Sequence, residues 1–417
     1  MRYKISAPTH IETTIDLPSS KSISNRALVM QALSGSTEWP SNLSDCDDTT
    51  VIIRALQDMP PTIDIKAAGT AMRFMTAYLS VTDHGEHVLT GTERMRHRPI
   101  GILVDALRQL GADIDYVGEE GYPPLRIRGR HLDGGRIDVA GNVSSQFISA
   151  LLIAGATMRN GMELHLTDNI ISRPYIDLTL CTMRDFGAKV EWTGPDTIEV
   201  APQPYRPTPY FIENDWSAAS YWYEMLCLSS EESVVRLNGL TDGSRQGDSV
   251  TRYIFSLLGV KTTFGVREKG VPTTVTLKHH AVKLPRLEFS FINQPDLAQT
   301  YVVTCALLGI PFHFKGLSTL RIKETDRIEA LKREMLKLGF VVSSTIDNDL
   351  IWNGERCNAD VHPVIDTYKD HRMALAFAPA CACFPGLRID DPSVVSKSYP
   401  RYWEDMRKAG YMIEEEP

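Results

Sequence analysis

Residues 110–114, Leu110-Gly111-Ala112-Asp113-Ile114, end an apolar-patterned helix on a glycine and pass straight into strand-forming residues. The junction returns at Phe186-Gly187-Ala188-Lys189-Val190, Leu258-Gly259-Val260-Lys261-Thr262 and Leu338-Gly339-Phe340-Val341-Val342, with a degenerate copy at Ala409-Gly410-Tyr411-Met412-Ile413. Glycine takes the left-handed backbone that ends a helix at the least steric cost. The first four glycines lie 76, 72 and 80 residues apart, too far for a solenoid. The pattern therefore predicts one α/β supersecondary unit, reused down the chain and packed into globular domains.

Four prolines in APQPYRPTPY, residues 201–210, mark a linker between halves of similar length, and a cleft between two α/β domains is a common ligand site. Alternating strands are expected at residues 86–89, 136–139 and 274–277. The length of 417 residues, 43% hydrophobic and 23% charged, excludes a disordered chain, a coiled coil and a membrane bundle. The longest apolar runs, 147–157 and 373–384, are shorter than the ~20 residues of a spanning helix. The N-terminus reads as the mature start of a cytoplasmic protein. Seven cysteines without a C-x-x-C pair argue against a disulfide framework or a zinc site, and Cys381 and Cys383 read as packing residues. A net charge of −8 argues against a general nucleic-acid binder, so any anion site is local.

Several helix starts combine hydroxyls, glycine and cations. They are Lys21-Ser22-Ile23-Ser24-Asn25-Arg26, Ala68-Gly69-Thr70-Ala71-Met72-Arg73, and Asn142-Val143-Ser144-Ser145-Gln146. Each has an innocent reading as a cap, but three in one half favour recurrent anion recognition by free backbone N–H groups. The basic run at residues 93–98 is equally a solvated loop, and Arg321, Lys323, Glu324, Asp326 and Arg327 would satisfy one another as surface ion pairs. Asp370-His371-Arg372 stands before an apolar helix, where charges need partners. Asp296 could be an N-cap and Lys397 a solvated lysine. There is no H-E-x-x-H, G-x-S-x-G or G-x-G-x-x-G. Many cations with a few carboxylates and no nucleophile suit group transfer between polyanionic small molecules.

Together KSISNR (21–26), AGTAMR (68–73), RMRHRPIG (94–101), VSSQF (143–147), SRPYID (172–177), KETDR (323–327) and DHRMA (370–374) resemble, in order and across nearly the whole chain, the EPSP synthase family of 3-phosphoshikimate 1-carboxyvinyltransferases. The resemblance implies an α/β (α+β) fold of two similar domains, each of three βαβαββ units, with the active site in the interdomain cleft. It places the domains at residues 20–213, and at 1–19 with 214–417. The implied reaction moves the enolpyruvyl group of phosphoenolpyruvate to the 5-hydroxyl of shikimate 3-phosphate, on the route to aromatic amino acids. No metal or cofactor is implied, no nucleic-acid or membrane partner, and a monomer that closes on its ligands.

Carried over residue by residue, the resemblance puts Lys21, Ser22, Arg26, Ser144, Ser145, Gln146, Ser172, Tyr175, Asp296, Thr319 and Lys323 around shikimate 3-phosphate. Lys21, Gly69, Arg98, Gln146, Arg327, Arg372 and Lys397 would hold phosphoenolpyruvate. Asp296 corresponds to the base and Glu324 to the acid, with Lys21 sharing the proton work and His371 orienting Glu324. Ala67, Phe74 and Thr319 depart from residues common in the family, which puts affinity in question rather than reaction type. UDP-N-acetylglucosamine enolpyruvyl transferase is the related alternative, although residues 91–98 lack the cysteine typical of its loop. A non-catalytic anion-binding relative is the other.

Overall fold

The computed structural model describes residues 1–266, 268–281 and 284–417, in two compact units: Met1–Pro18 with Glu213–Pro417, and Ser19–Ile212. The chain opens with strands β1 (Arg2–Ser6) and β2 (Glu12–Asp16) of the first unit, then enters the second with helices α1 (Lys21–Leu33) and α2 (Asp47–Asp58).

Two successive repeats follow. The first is β3 (Thr62–Asp64), α3 (Gly69–Val81), β4 (Glu86–Thr90), a single turn α4 (Glu93–Arg96), α5 (Gly101–Gln109), β5 (Asp113–Tyr116) and β6 (Leu125–Arg128). The second is β7 (Gly135–Ala140), α6 (Ser145–Gly155), β8 (Met162–Thr167), α7 (Arg173–Asp185), β9 (Val190–Trp192) and β10 (Thr197–Val200). Their sheets run β3-β4-β6-β5 and β7-β8-β10-β9. In each, the first two strands are parallel and every other pairing is antiparallel. A parallel pair needs a crossover helix and an antiparallel pair only a short turn, so βαβαββ is the connectivity this pattern demands.

The chain then returns to the first unit. Helix α8 (Trp216–Cys227), β11 (Val234–Thr241), α9 (Thr251–Leu257), β12 (Val260–Phe264) and β13 (Pro272–His279) build a sheet completed by β2. The next repeat is β14 (Leu287–Ser290), α10 (Ala298–Leu307), β15 (Phe312–Lys315), α11 (Arg327–Lys337), β16 (Ser343–Ser344) and β17 (Leu350–Trp352). The last is β18 (Val364–Ile365), α12 (His371–Phe377), β19 (Leu387–Asp390), α13 (Tyr402–Lys408) and β20 (Met412–Glu416), with β1 inserted between β19 and β20.

The glycines that revealed the repeat behave alike. Gly111, Gly187, Gly259, Gly339 and Gly410 have φ of 102°, 86°, 97°, 83° and 96°, and each follows the second helix of its repeat. Strand β8 alternates buried and half-buried residues, as one-sided packing requires. All of α3 and most of α6 are buried, so these helices are interior to their unit. Each unit has its own apolar core. Among the described residues no helix is long and apolar enough to cross a membrane.

Two expectations change. Residues 201–210 do not link domains; they strap across the second unit. Tyr205 is buried and donates its hydroxyl to Ile153 O at 2.9 Å, and Gln203 Nε2 donates to Gly187 O at 2.6 Å. Against the three βαβαββ units expected per domain, among the described residues the first unit has three four-stranded sheets and the second has two. Its third segment is α1, α2 and a single parallel bridge between Ser41 and Phe211. Pro202, Pro204, Pro207 and Pro209 have no N–H to donate to a longer ladder.

Candidate active site

Because every repeat begins strand-helix-strand-helix, the loops entering its two helices recur at equivalent places, and the candidate residues lie there. Helix starts offer unpaired N–H groups and a positive end, which suits anions.

In the first unit the cluster is built around Arg327, the first residue of α11. Asp326 caps that helix, accepting from Glu329 N at 3.2 Å, and aims the Arg327 side chain inward. Its Nε and Nη2 donate to Asp370 Oδ2 and Oδ1 at 2.7 and 3.2 Å, Nη1 to Asp296 Oδ1 at 2.8 Å, and Nη2 to Glu324 Oε2 at 2.9 Å. Lys397 Nζ donates to Glu324 Oε1 at 2.6 Å. Lys323 Nζ lies 3.4 Å from Asp296 Oδ1, and Arg372 Nη2 donates to Asp296 Oδ2 at 3.3 Å. Asp296 therefore does not serve as the N-cap its position suggested: α10 begins without a side-chain cap, and the carboxylate turns to three cations.

Electrostatics follow from this packing. Burial opposes the charge on Asp296, but Lys323, Arg372 and Arg327 outweigh both burial and the repulsion of Glu324, and hold it well below the usual carboxylate range. Burial likewise opposes the Arg327 charge, yet Asp370, Glu324 and Asp296 keep the guanidinium firmly protonated. Asp370 is fully buried and caps α12 by accepting from Arg372 N at 3.0 Å. The buried His371 ring places Nδ1 3.6 Å from Asp370 Oδ1. The Tyr221 hydroxyl, pushed up to about 12 by burial against the pull of Arg372, receives Arg372 Nη1 at 3.3 Å.

The charged run around α11 divides. Arg321 pairs with Asp326 at 2.8 Å and Glu329 at 3.4 Å, and Lys332 with Glu329 at 3.1 Å, as surface ion pairs would. Lys323, Glu324 and Arg327 join the cluster instead. Thr319 sits in a 3-10 turn, Ser318–Ile322, and its buried Oγ1 has no hydrogen-bond partner among the described residues.

In the second unit four helix starts carry the remaining candidates. Ser20 caps α1, accepting from Ile23 N at 3.4 Å, which leaves Lys21 and Ser22 in the first turn. Lys21 Nζ lies 3.8 Å from Asp48 Oδ2, a nearly fully buried carboxylate. Gly69 opens α3; a Cβ there would meet Arg98 Nη1 at 2.6 Å, so the guanidinium packs against the glycine. Arg94 and Arg96 are exposed. Arg73 ties the loop to the helix, donating from Nη1 to Gly69 O at 3.1 Å and from Nη2 to Pro99 O at 3.2 Å. Ser144 caps α6, accepting from Gln146 N at 3.4 Å and placing Ser145 first in that helix; Gln146 Nε2 donates to Thr70 Oγ1 at 3.1 Å. Ser172, with φ of 53°, turns the chain into α7, and Tyr175 follows one turn on.

Arg26 is buried and donates to Thr179 Oγ1 at 2.7 Å, Ser149 Oγ at 3.0 Å and Tyr175 O at 3.2 Å, three bonds that pin α1 to α6 and α7, and to Ser22 O within α1 at 2.9 Å. Burial lowers its pKa to about 10, with Tyr175 opposing. Tyr221 and Asp48 escaped the sequence reading: Tyr221 lies in an aromatic-rich helix with no polar signal, and Asp48 in an acidic run that looks like a helix start. Among the described residues no group of three or more His, Cys, Asp or Glu side chains is placed to hold a metal ion.

A family model described as EPSP synthase (3-phosphoshikimate 1-carboxyvinyltransferase) matches residues 57–406. The 3-phosphoshikimate 1-carboxyvinyltransferase of Bacteroides fragilis is 57% identical over 413 residues, covering 99% of each chain. That of Haemophilus influenzae is 35% identical over 428 aligned positions, covering 95% of this chain and 96% of its own. A solved EPSP synthase from Acinetobacter baumannii superposes with a TM-score of 0.79 over 99% of this chain and all of that one, at 21% identity, and the likeness bears on fold. These matches span both units, and so the chain belongs to the EPSP synthase family.

Proposed function

We propose that this chain performs its family's reaction with the residue roles that follow, transferring the enolpyruvyl group of phosphoenolpyruvate to the 5-hydroxyl of shikimate 3-phosphate and releasing phosphate. The observation that carries the assignment is Asp296, a half-buried carboxylate kept ionised by Lys323, Arg327 and Arg372. An ionised carboxylate at this position can accept the hydroxyl proton. The cations that hold it also suit the phosphate and carboxylate groups of phosphoenolpyruvate. As the substrates engage those cations, Asp296 loses part of their stabilisation and becomes a stronger base.

Glu324 supplies the second proton function. Its oxygens are engaged by Arg327 and Lys397, and surrender of those partners to the substrate anions raises its affinity for a proton. Protonation of the methylene carbon by Glu324 makes the adjacent carbon electrophilic, and the hydroxyl oxygen adds there as Asp296 takes its proton. Loss of phosphate and of one methyl proton from the tetrahedral adduct regenerates the vinyl ether. His371 orients Glu324. Ser22, Ser144, Ser145, Ser172, Tyr175, Thr319 and Lys323 hold shikimate 3-phosphate, with Arg26 fixing the helix starts beneath it. Lys21, Gly69, Arg98, Gln146, Arg327, Arg372 and Lys397 receive phosphoenolpyruvate, and Lys21 shares in moving protons. The chain acts as a monomer in the cytoplasm.

The test is phosphate release from purified protein given phosphoenolpyruvate with shikimate 3-phosphate, or with UDP-N-acetylglucosamine, and product identification by mass. Release with shikimate 3-phosphate alone is expected. Release only with the nucleotide sugar, or none with either acceptor from folded protein, overturns the reading.

A further inference from the structure

The turn that presents Asp370, His371 and Arg372 is held in an unfavourable conformation. Tyr368 and Lys369, immediately before Asp370, have φ of 53° and 57°, left-handed values that side-chain-bearing residues adopt only when their surroundings impose them. Asp370 N donates to Thr367 O at 2.8 Å, which closes the turn.

The restraint comes from α11. Glu334 is fully buried, seven residues after Arg327, two helical turns along the same face and about 10 Å further on. Its Oε1 accepts from the Tyr368 hydroxyl at 2.6 Å, and its Oε2 from Asp366 N at 3.0 Å. Lys337 neutralises the carboxylate: its Nζ donates to Glu334 Oε2 at 2.8 Å and reaches Val364 O at 2.9 Å and Asp366 Oδ2 at 3.1 Å. Residues 366–370 are therefore gripped twice by one helix, through Asp366 and Tyr368 at Glu334 and through Asp370 at Arg327. The two left-handed residues are Tyr368, held in the first grip, and Lys369, which lies between the grips.

We propose that Glu334 and Tyr368 are positioning residues for the reaction. They brace the strained turn so that Asp370 meets Arg327 in bidentate register and Arg372 enters the site at a fixed angle. Neither touches the Asp296 carboxylate, and neither belongs to the motifs that marked the site in the sequence. The brace rests on the reading of Arg372 as a phosphoenolpyruvate ligand. Its signature is selective: the donor's binding weakens, while shikimate 3-phosphate, held largely by other residues, is little affected.

The experiment uses the full chain, with steady-state kinetics in each substrate and a thermal melt for each variant. Tyr368→Phe removes only the hydroxyl, and is expected to raise the phosphoenolpyruvate KM roughly tenfold while the shikimate 3-phosphate KM stays within about twofold. Lys369→Gly relieves the left-handed strain while slackening the turn. Its melting temperature should hold or rise while the phosphoenolpyruvate KM still increases several-fold, a division that a purely stabilising contact does not produce. Arg372→Lys is measured beside them. If it raises the phosphoenolpyruvate KM while Tyr368→Phe and Lys369→Gly do not, the brace is wrong. An unchanged KM in all three overturns the Arg372 assignment and the brace with it, and an equal rise in both substrates' KM overturns the selective role.

Discussion

Asp296 shares its charge among three cations, and that sharing decides how it can be tested. Removing the carboxylate altogether would strip a partner from the buried Arg327 and Arg372 and disturb folding along with chemistry. Asp296→Asn keeps an acceptor oxygen and should lower kcat by roughly a thousandfold, with both substrates still binding in equilibrium titrations. Glu324→Gln is expected to do the same, and wild-type-like turnover in either variant removes that residue from the mechanism. Gly69→Ala poses a different question, since its Cβ would sit 2.6 Å from Arg98 Nη1. A flexible guanidinium can yield at small cost in stability, so the melting temperature should stay near wild type while the phosphoenolpyruvate KM rises; an unchanged KM would separate Arg98 from that substrate. At this scale the helix starts that carry the candidate residues were readable in advance, because a capping hydroxyl or a glycine before an apolar run is a local signal. Asp48 and Tyr221 were not, because their roles come from partners 27 and 151 residues away.

Among the elements, the clearest sequence signal was the glycine that closes the second helix of each repeat, a backbone requirement that tertiary packing does not override. Proline-rich residues 201–210 misled because the composition of a free linker is also that of a strap, and only burial of Tyr205 separates the two. Helix α8 holds a further feature with no warning in its pattern, the fully buried Glu224. The Thr304 hydroxyl lies near enough to favour its charge slightly but donates to Thr300 O at 2.7 Å, and neither carboxyl oxygen has a hydrogen-bond partner among the described residues. Burial therefore pushes its pKa well above the usual range and favours the neutral acid in the folded protein. Folding then retains a proton that the unfolded chain releases, so stability falls as pH rises from the ordinary glutamate value through the folded one. Glu224→Met should add about 1–2 kcal/mol at neutral pH, with a smaller gain near pH 4, in urea unfolding. A gain that does not change with pH would contradict the neutral assignment.

For the molecule as a whole, the second unit is one continuous stretch, Ser19–Ile212, whereas the first is assembled from two. The continuous unit has its own apolar core, so residues 19–212 expressed alone should melt cooperatively and give dispersed amide resonances. A broad, non-cooperative melt would show that its core depends on the rest of the chain. The two-part construction was visible in the sequence only through family resemblance, because no local pattern announces that residues 2–6 pair with strands nearly four hundred positions away, or 12–16 with residues 234–238. Strand β1 lies between β19 and β20, with Ile5 opposite Leu387 on one side and Ile413 on the other. During synthesis at the ribosome, which proceeds at about 5–20 residues per second, the first strand to emerge is among the last to find its neighbours. For some tens of seconds it carries open edges past a unit that can already fold. Chaperone capture of nascent chains should therefore concentrate on this segment.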